Sequence, residues 1–460
     1  MLRALPAAHL LQEFRRLLPA RLLGRWMADC GQGFYLRAFT PVVTLWYCVF
    51  GRLCPNHCLS HVVEDARSGG ADCLSPRGKR LSRQLRSEAT ASFSDARARL
   101  PLAIFEKGLR HIADRFAANF RGGEWFGLRV ALMDGSTCRL RPFGDIARAF
   151  PPHRSGNAKN PPYWCLARVA GMFCLTTGAV IGSAVGPMRA GEQCLAAMLL
   201  RRCWRGWLIV ADRNFGVHSV ARAATAAGAH LLARLTRARA ARLARLAGVR
   251  LGPGMDIALD WFPSRYDQRP DGLGPAPVRG RLLVVRIQPR GYRPELLCLF
   301  TTLADARSHP APQLAELYGR RWAVEICLRH VKSQMDLGLL QCRSADMVRK
   351  EWLAGLIAYN LIRWAMAAAA AAANTPISLL SFSRSRELLL GWCRRWPTHR
   401  HSLRSWQLLL GRIAAARLPK RRKPRPSEPR AVRPFQKDCA KLFGDRATAR
   451  LKLAATSAKS

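Results

Sequence analysis

Three acidic residues stand where an α/β chain places reactive groups. Asp134 follows the apolar run Leu128–Met133, Asp212 follows Trp207–Ala211 in LIVADRNFG, and Glu325 lies in YGRRWAVEICLRHVK. A carboxylate at the end of an apolar strand is costly unless something binds it, and a divalent cation is the simplest partner. Two Asp and one Glu supply the hard oxygen ligands that Mg2+ or Mn2+ take while keeping substrate phosphate in the coordination shell. A pair of such ions activates the attacking oxygen and stabilises the leaving one in phosphoryl transfer. Singly, each acid reads equally well as a cap, a turn residue or half of a salt bridge.

The stronger signal is the spacing around Glu325. Tyr318, Arg321, Glu325 and Lys332 are separated by steps of three, four and seven, which nearly close whole helical turns. A predicted helix over 311–335 therefore carries a carboxylate, two cations and a phenol on one face. That face suits a phosphodiester, with Glu325 on metal and Arg321 and Lys332 on neighbouring phosphates. A solvated salt-bridge face with Tyr318 in the core is the competing reading. Arg213, beside Asp212, is a further phosphate contact, and His153 and Arg154 sit in a loop after the first Asp. Glu192, in AGEQCL, opens a predicted helix, where a carboxylate favours the helix dipole. A functional role and a capping role both stand for it.

The elements that would position these residues follow from periodicity. Residues 1–120 are predicted mainly helical, with apolar residues at helical spacing in Leu10–Leu23 and Leu100–Phe120 around a polar stretch, Ser68–Ser94. This domain reads as DNA-end binding or as a packing and dimerisation unit. Residues 121–235 alternate strand and helix: Leu128–Met133 ending in an Asp134-Gly135-Ser136 turn, strands near Trp164–Phe173 and Gly178–Val185, a helix after Gly191, strand Trp207–Ala211, helix Val217–Ala227 and strand His230–Leu235. That alternation predicts an α/β core. Residues 236–305 read as a β-rich insertion with strands at Arg281–Ile287 and Leu296–Thr302. Residues 306–345 return to the core with the Glu-bearing helix, 346–418 form a helical region suited to dimerisation, and 419–460 a basic tail too rich in proline and like charge to pack.

Composition narrows the partner. Lys plus Arg number 75 against 29 Asp plus Glu, a formal net charge of +46, with 49% apolar residues. Such an excess calls for a polyanion, and the core is too large for a typical ribosomal protein, so nucleic acid is the expected partner. Fifteen cysteines, an odd number without disulfide density, read as reduced thiols of a cytosolic protein. The cluster Cys48, Cys54, His57, Cys58 and His61 matches no common zinc spacing. Trp352–Ala373 is long enough to span a bilayer, yet it carries Asn360 and Arg363 near its middle and is largely Ala. A buried helix, and no membrane, is predicted.

The Tyr318, Arg321, Glu325, Lys332 spacing, with Trp322 after the Arg, resembles the signature of the large DDE-type bacterial insertion-sequence transposases. MDGST around Asp134, ADRNF around Asp212 and the order of parts extend the resemblance over about residues 125–345. None of the three acids or four signature positions departs from the pattern. The resemblance implies an RNase H-like catalytic core and a two-metal site made by Asp134, Asp212 and Glu325. It implies DNA contacts by Tyr318, Arg321, Trp322 and Lys332 near the scissile phosphate, with Trp322 stacking on an unpaired base unless it packs in the core. In such enzymes water nicks the element end and the freed 3′-hydroxyl attacks further DNA. Partners would be double-stranded DNA with terminal inverted repeats, target DNA and a second copy of the chain in a synaptic dimer, in the cytoplasm at the nucleoid. A nuclease without strand transfer and a non-catalytic DNA binder are the alternatives. The long stretch between Asp212 and Glu325 favours the transposase over the first, and the complete acidic set argues against the second.

Overall fold

A computed structural model of the chain describes residues 10–31, 37–54, 57–75, 80–120, 122–152, 164–264, 276–287, 295–394 and 403–419. His153, Arg154 and the basic tail from residue 420 lie outside the described residues.

Nine strands form one mixed sheet among the described residues: β1 Arg129–Leu140, β2 Cys165–Cys174, β3 Val180–Pro187, β4 Trp207–Ala211, β5 His230–Arg234, β6 Met255–Trp261, β7 Val278–Ile287, β8 Glu295–Thr301 and β9 Leu339–Leu340. Their order is β3-β2-β1-β4-β5-β8-β7-β6, with β9 beside β1. β1, β2 and β3 are antiparallel neighbours, whereas β4 runs parallel to β1 and β5 parallel to β4. Parallel strands are covered on both faces and read as unbroken apolar runs, as Leu208–Ala211 and Leu231–Ala233 do, all fully buried. The helices Gly191–Leu199 and His218–Ala226 pack Leu195, Ala196, Val220, Ala221 and Ala224 into the same core as these strands. Small alanines let helix and sheet approach closely.

The stretch from 236 opens with a helix, Arg237–Leu246, before β6, β7 and β8. These strands continue the main sheet, because β8 pairs antiparallel with β5.

The long apolar helix spans Ala345–Ala372, and 94% of its most apolar window is buried within the protein. It packs against helices Pro41–Leu53, Leu102–Asn119 and Leu403–Ala415 and against β3. Its polar residues explain its place. Asn360 donates to the Val180 carbonyl (2.8 Å) and accepts from the Val180 N–H (2.8 Å). Tyr359 donates to the Gly178 carbonyl (2.8 Å), and the Trp352 indole donates to Ser183 (2.9 Å). A buried polar group left unmet costs about 1–3 kcal/mol, and each of these is met by β3 or the turn before it. Arg363 is buried too, donating to the Tyr359 hydroxyl (2.8 Å) and lying 3.3 Å from the His330 ring nitrogen.

Two sequence expectations are corrected. Asp134-Gly135-Ser136 is not a turn: β1 continues to Leu140, held by β2 along its whole length from Ala131 and by β9 at its end. The apolar run ends at Met133 because β4 ends there, not because the strand does. The helix predicted over 311–335 has three characters, α at Ala311–Gly319, a tight turn at Arg320–Trp322, then α at Ala323–Arg329 and a widened turn at His330–Gln334.

Candidate active site

Sheet register brings the first two acids together. Met133 and Ala211 are paired residues of the parallel strands β1 and β4, so Asp134 and Asp212, each the next residue, emerge side by side. The Asp134 carboxylate accepts from the Gly135 N–H (2.8 Å), and that of Asp212 accepts from the Asn214 N–H (2.9 Å). Burial pushes the Asp134 carboxyl up to about 6, and the negative charges of Asp212 and Glu192 push the same way. Such a group holds an unmet demand for positive charge.

The third acid arrives on the Ala323–Arg329 helix. The Arg321 guanidinium links it to the sheet, 3.0 Å from the Glu325 carboxylate and 3.8 Å from that of Asp134. Lys332, one widened turn further on, donates to Ser136 of β1 (3.0 Å). The face carrying Arg321, Glu325 and Lys332 is thus turned toward β1 at Asp134–Ser136. Among the described residues, no group of three or more His, Cys, Asp or Glu side chains is already gathered closely enough to hold a metal ion. Arg321 supplies the positive charge between Asp134 and Glu325.

The other residues of the signature divide by exposure. Tyr318 is buried at 8% exposure, its hydroxyl raised by burial, with Arg321, Arg234 and Asp212 in its surroundings. Trp322 is 65% exposed, so core packing does not account for it; the Arg321 guanidinium stands 5.6 Å from its ring centre. Arg213 is exposed beside Asp212.

Glu192 is the residue the sequence reading underweighted. Its carboxylate accepts a short hydrogen bond from the Asn214 amide, two residues past Asp212. Its side chain also fills the space over Gly135, where an added Cβ would meet the carboxyl carbon at 2.5 Å. One side chain therefore reaches the residue after Asp134 and the second residue after Asp212. Glu192 also stands in the first turn of its helix, as expected, although no side chain caps that helix start. The small residue directly after Asp134 was the available signal.

Among the described residues, no three members of the cysteine–histidine cluster are gathered closely enough to hold a metal ion. His57 lies 3.0 Å from the Gly51 carbonyl and 3.4 Å from the Asp336 carboxylate, Cys58 pairs with Ser60, and burial pushes the Cys48 thiol up to about 12.

A strongly basic chain with carboxylates side by side on neighbouring strands, and a helix bringing a third, fits the class of enzymes that act on nucleic-acid phosphodiesters. The sequence model of the family described as "Transposase DDE domain" matches residues 125–361. Transposase InsG for insertion sequence element IS4 of Escherichia coli is 26% identical over 358 residues, covering 76% of this chain and 75% of that protein. A probable transposase for insertion sequence element IS5377 of Geobacillus stearothermophilus is 34% identical over 85 residues, 18% of this chain and 22% of that protein. A solved piggyBac transposase synaptic complex with hairpin DNA aligns over 88% of this chain and 85% of that one, at 12% identity and a TM-score of 0.40. The chain belongs to the transposase DDE domain family. It is a DNA transposase, an enzyme of DNA cleavage and strand transfer in a family that uses divalent metal ions.

Proposed function

We propose that Asp134, Asp212 and Glu325 form the catalytic centre and hold two Mg2+ or Mn2+ ions. The residues fit hard divalent cations: the donors are all oxygens, and the raised Asp134 carboxyl, flanked by Asp212 and Glu192, is stabilised as an anion by added positive charge. Bound metal supplies Lewis-acid activation of the attacking oxygen and charge neutralisation at the phosphate. The chain's own residues do the rest. Arg321, now between Asp134 and Glu325, exchanges its carboxylate contacts for a DNA phosphate when metal loads. Lys332 neutralises the adjacent phosphate, and Arg213 a further one. Tyr318, packed under Arg321, sets the guanidinium's direction. Trp322 offers an open ring for an unstacked base.

The observation that carries this reading is the β1–β4 register, which supports a shared site for Asp134 and Asp212 with Glu325 tied to it through Arg321. The antiparallel meander β1–β3 joined to parallel β4 and β5 supports an RNase H-like core. Within the same proposal fall the group with the Tyr-Arg-Glu-Lys signature, end binding by residues 1–120, core segments 121–235 and 306–345 around the 236–305 segment, dimerisation through 346–418, and the basic tail 419–460. So do terminal inverted repeats and target DNA as substrates, a homodimer in synapsis, and a cytoplasmic, nucleoid-associated setting.

The test is strand cleavage of element-end DNA in Mg2+. Asp134→Ala, Asp212→Ala and Glu325→Ala should each abolish cleavage while retaining DNA binding. A variant that cuts at the normal rate removes that residue from the centre. Cut ends that never join to a second DNA would replace the transposase reading of this site with a nuclease.

A further inference from the structure

An arginine-lined groove opens along β3 and the start of β4. One part is a cleft of about 590 Å³ along β3, walled by Arg110 of the Leu102–Asn119 helix, Arg201 and Arg202 of the loop before β4, and Arg349 of the long helix. It continues into a second cleft of about 420 Å³ that shares Arg201 and Arg202 and adds Cys203 and Arg205. Arg205 stands just before β4 begins and Asp212 just after it ends. A five-residue strand is about 16 Å long, so the arginines that precede β4 stand a strand's length from Asp212.

The cations there are built in rather than merely present. Arg202 lies over the Trp204 ring at 4.0 Å, and Trp204 is buried, its indole donating to the Leu199 carbonyl (3.0 Å). Arg349 lies over Phe150, 5.8 Å from the ring centre. Aromatic planes orient guanidinium forks and spare them the entropy of free side chains. The acids nearby are Glu106 on the wall and Asp114, 3.9 Å from Arg202, too few to balance five arginines. Burial holds the Arg202 guanidinium below its usual range, with Asp114 opposing and Arg110 adding to the shift.

We infer that the Arg110–Arg201–Arg202–Arg205–Arg349 groove is a second phosphate-backbone site, which grips duplex DNA away from the phosphodiester being cut. The inference rests on the transposase reading and is tested without cleavage. Cys203 is exposed between these arginines, so its alkylation rate reports occupancy. In the full chain, a duplex of about 40 base pairs should slow alkylation of Cys203, an exposed thiol, at least tenfold. The two sources, element DNA and flanking or target DNA, separate when the duplex is extended on one side of the cleavage position or the other. The Arg201→Gln/Arg205→Gln variant removes two phosphate contacts. Its log-affinity against log-salt slope should be shallower by about 1.8, and duplex binding near 0.15 M salt about 30-fold weaker. Unchanged Cys203 alkylation under saturating DNA overturns the inference, as does protection by an acidic polypeptide but not by DNA. Loss of cleavage in Asp134→Ala with Cys203 still protected leaves it standing, so the two readings fail separately.

Discussion

Replacing Asp134 by Asn should make the metal-free protein more stable while ending its chemistry. Burial, aided by Asp212 and Glu192, raises the carboxyl from 3.8 to about 6. A carboxyl with a raised folded-state value binds its proton more tightly folded than unfolded. Stability therefore falls as pH climbs from about 4 to about 6 and stays low above that. The ionised group costs about 3 kcal/mol at neutral pH, at about 1.4 kcal/mol per tenfold change in proton affinity. Asn has nearly the same shape, and its carbonyl can still accept from the Gly135 N–H, but it never ionises. Unfolding entropy of about 2.1 cal/mol/K per residue gives about 1 kcal/mol per degree for a chain of this size, so Asp134→Asn should melt about 3 °C higher at about pH 7.5 in chelator. The gap should close near pH 4, where the native carboxyl is itself protonated. Added Mg2+ should raise the melting temperature of the unsubstituted chain and leave that of the variant nearly unchanged. Calorimetry across pH, with and without Mg2+, measures all of this. An Asp134→Asn protein that melts lower than the original at about pH 7.5 in chelator, by a margin that persists at pH 4, would refute the account of the site as a strained anionic pocket.

Other expectations rest on different contacts. Trp322→Ala removes an exposed ring, so unfolding should shift by less than about 1 kcal/mol while affinity for element ends with an unpaired terminal base falls about 10- to 100-fold; equal losses on fully paired and unpaired ends would contradict stacking. Gly135→Ala drives the Glu192 carboxyl from its place and breaks its bond to Asn214; Mg2+ affinity measured by calorimetry should fall, and Glu192→Gln in the same background should add little further loss. Asn360→Leu leaves both polar groups of Val180 unpaired and should cost about 2–4 kcal/mol in denaturant unfolding. DNA binding by the whole chain should weaken steeply with salt, and a flat response would count against phosphate contact altogether.

What could be read from the residues follows how local each cause is. β4 and β5 were legible because central parallel strands are apolar throughout. The long helix was legible as a protein-core element because Asn360 and Arg363 have no place in lipid, and β3 and His330 turn out to be their partners. The Tyr318–Lys332 spacing pointed to a shared face, but not to Arg321 and Lys332 being engaged with Asp134 and Ser136. That depends on packing between residues almost two hundred positions apart. The end of β1 was misread for a related reason. Asp-Gly-Ser carries turn chemistry, and pairing with β2 and β9 overrode it. For Glu192 the place at a helix start was legible because it is local, and the contact with Gly135 was not.

The ladder pair Met133–Ala211 has a consequence for how the proposed catalytic centre tolerates change. Neighbouring strands sit about 4.8 Å apart, and the backbones under Asp134 and Asp212 cannot separate without unzipping the middle of the sheet. Glu325 has no ladder beneath it; its helix packs against β1 by side chains rather than by backbone pairing, with Arg321 and Lys332 reaching across on either side of it. Two acids are therefore mounted on a fixed jaw and the third on an adjustable one. Lengthening or trimming the chain between Asp212 and Glu325 leaves the fixed jaw untouched, and a designer seeking a different metal or a wider substrate would move the helix and leave the strands alone.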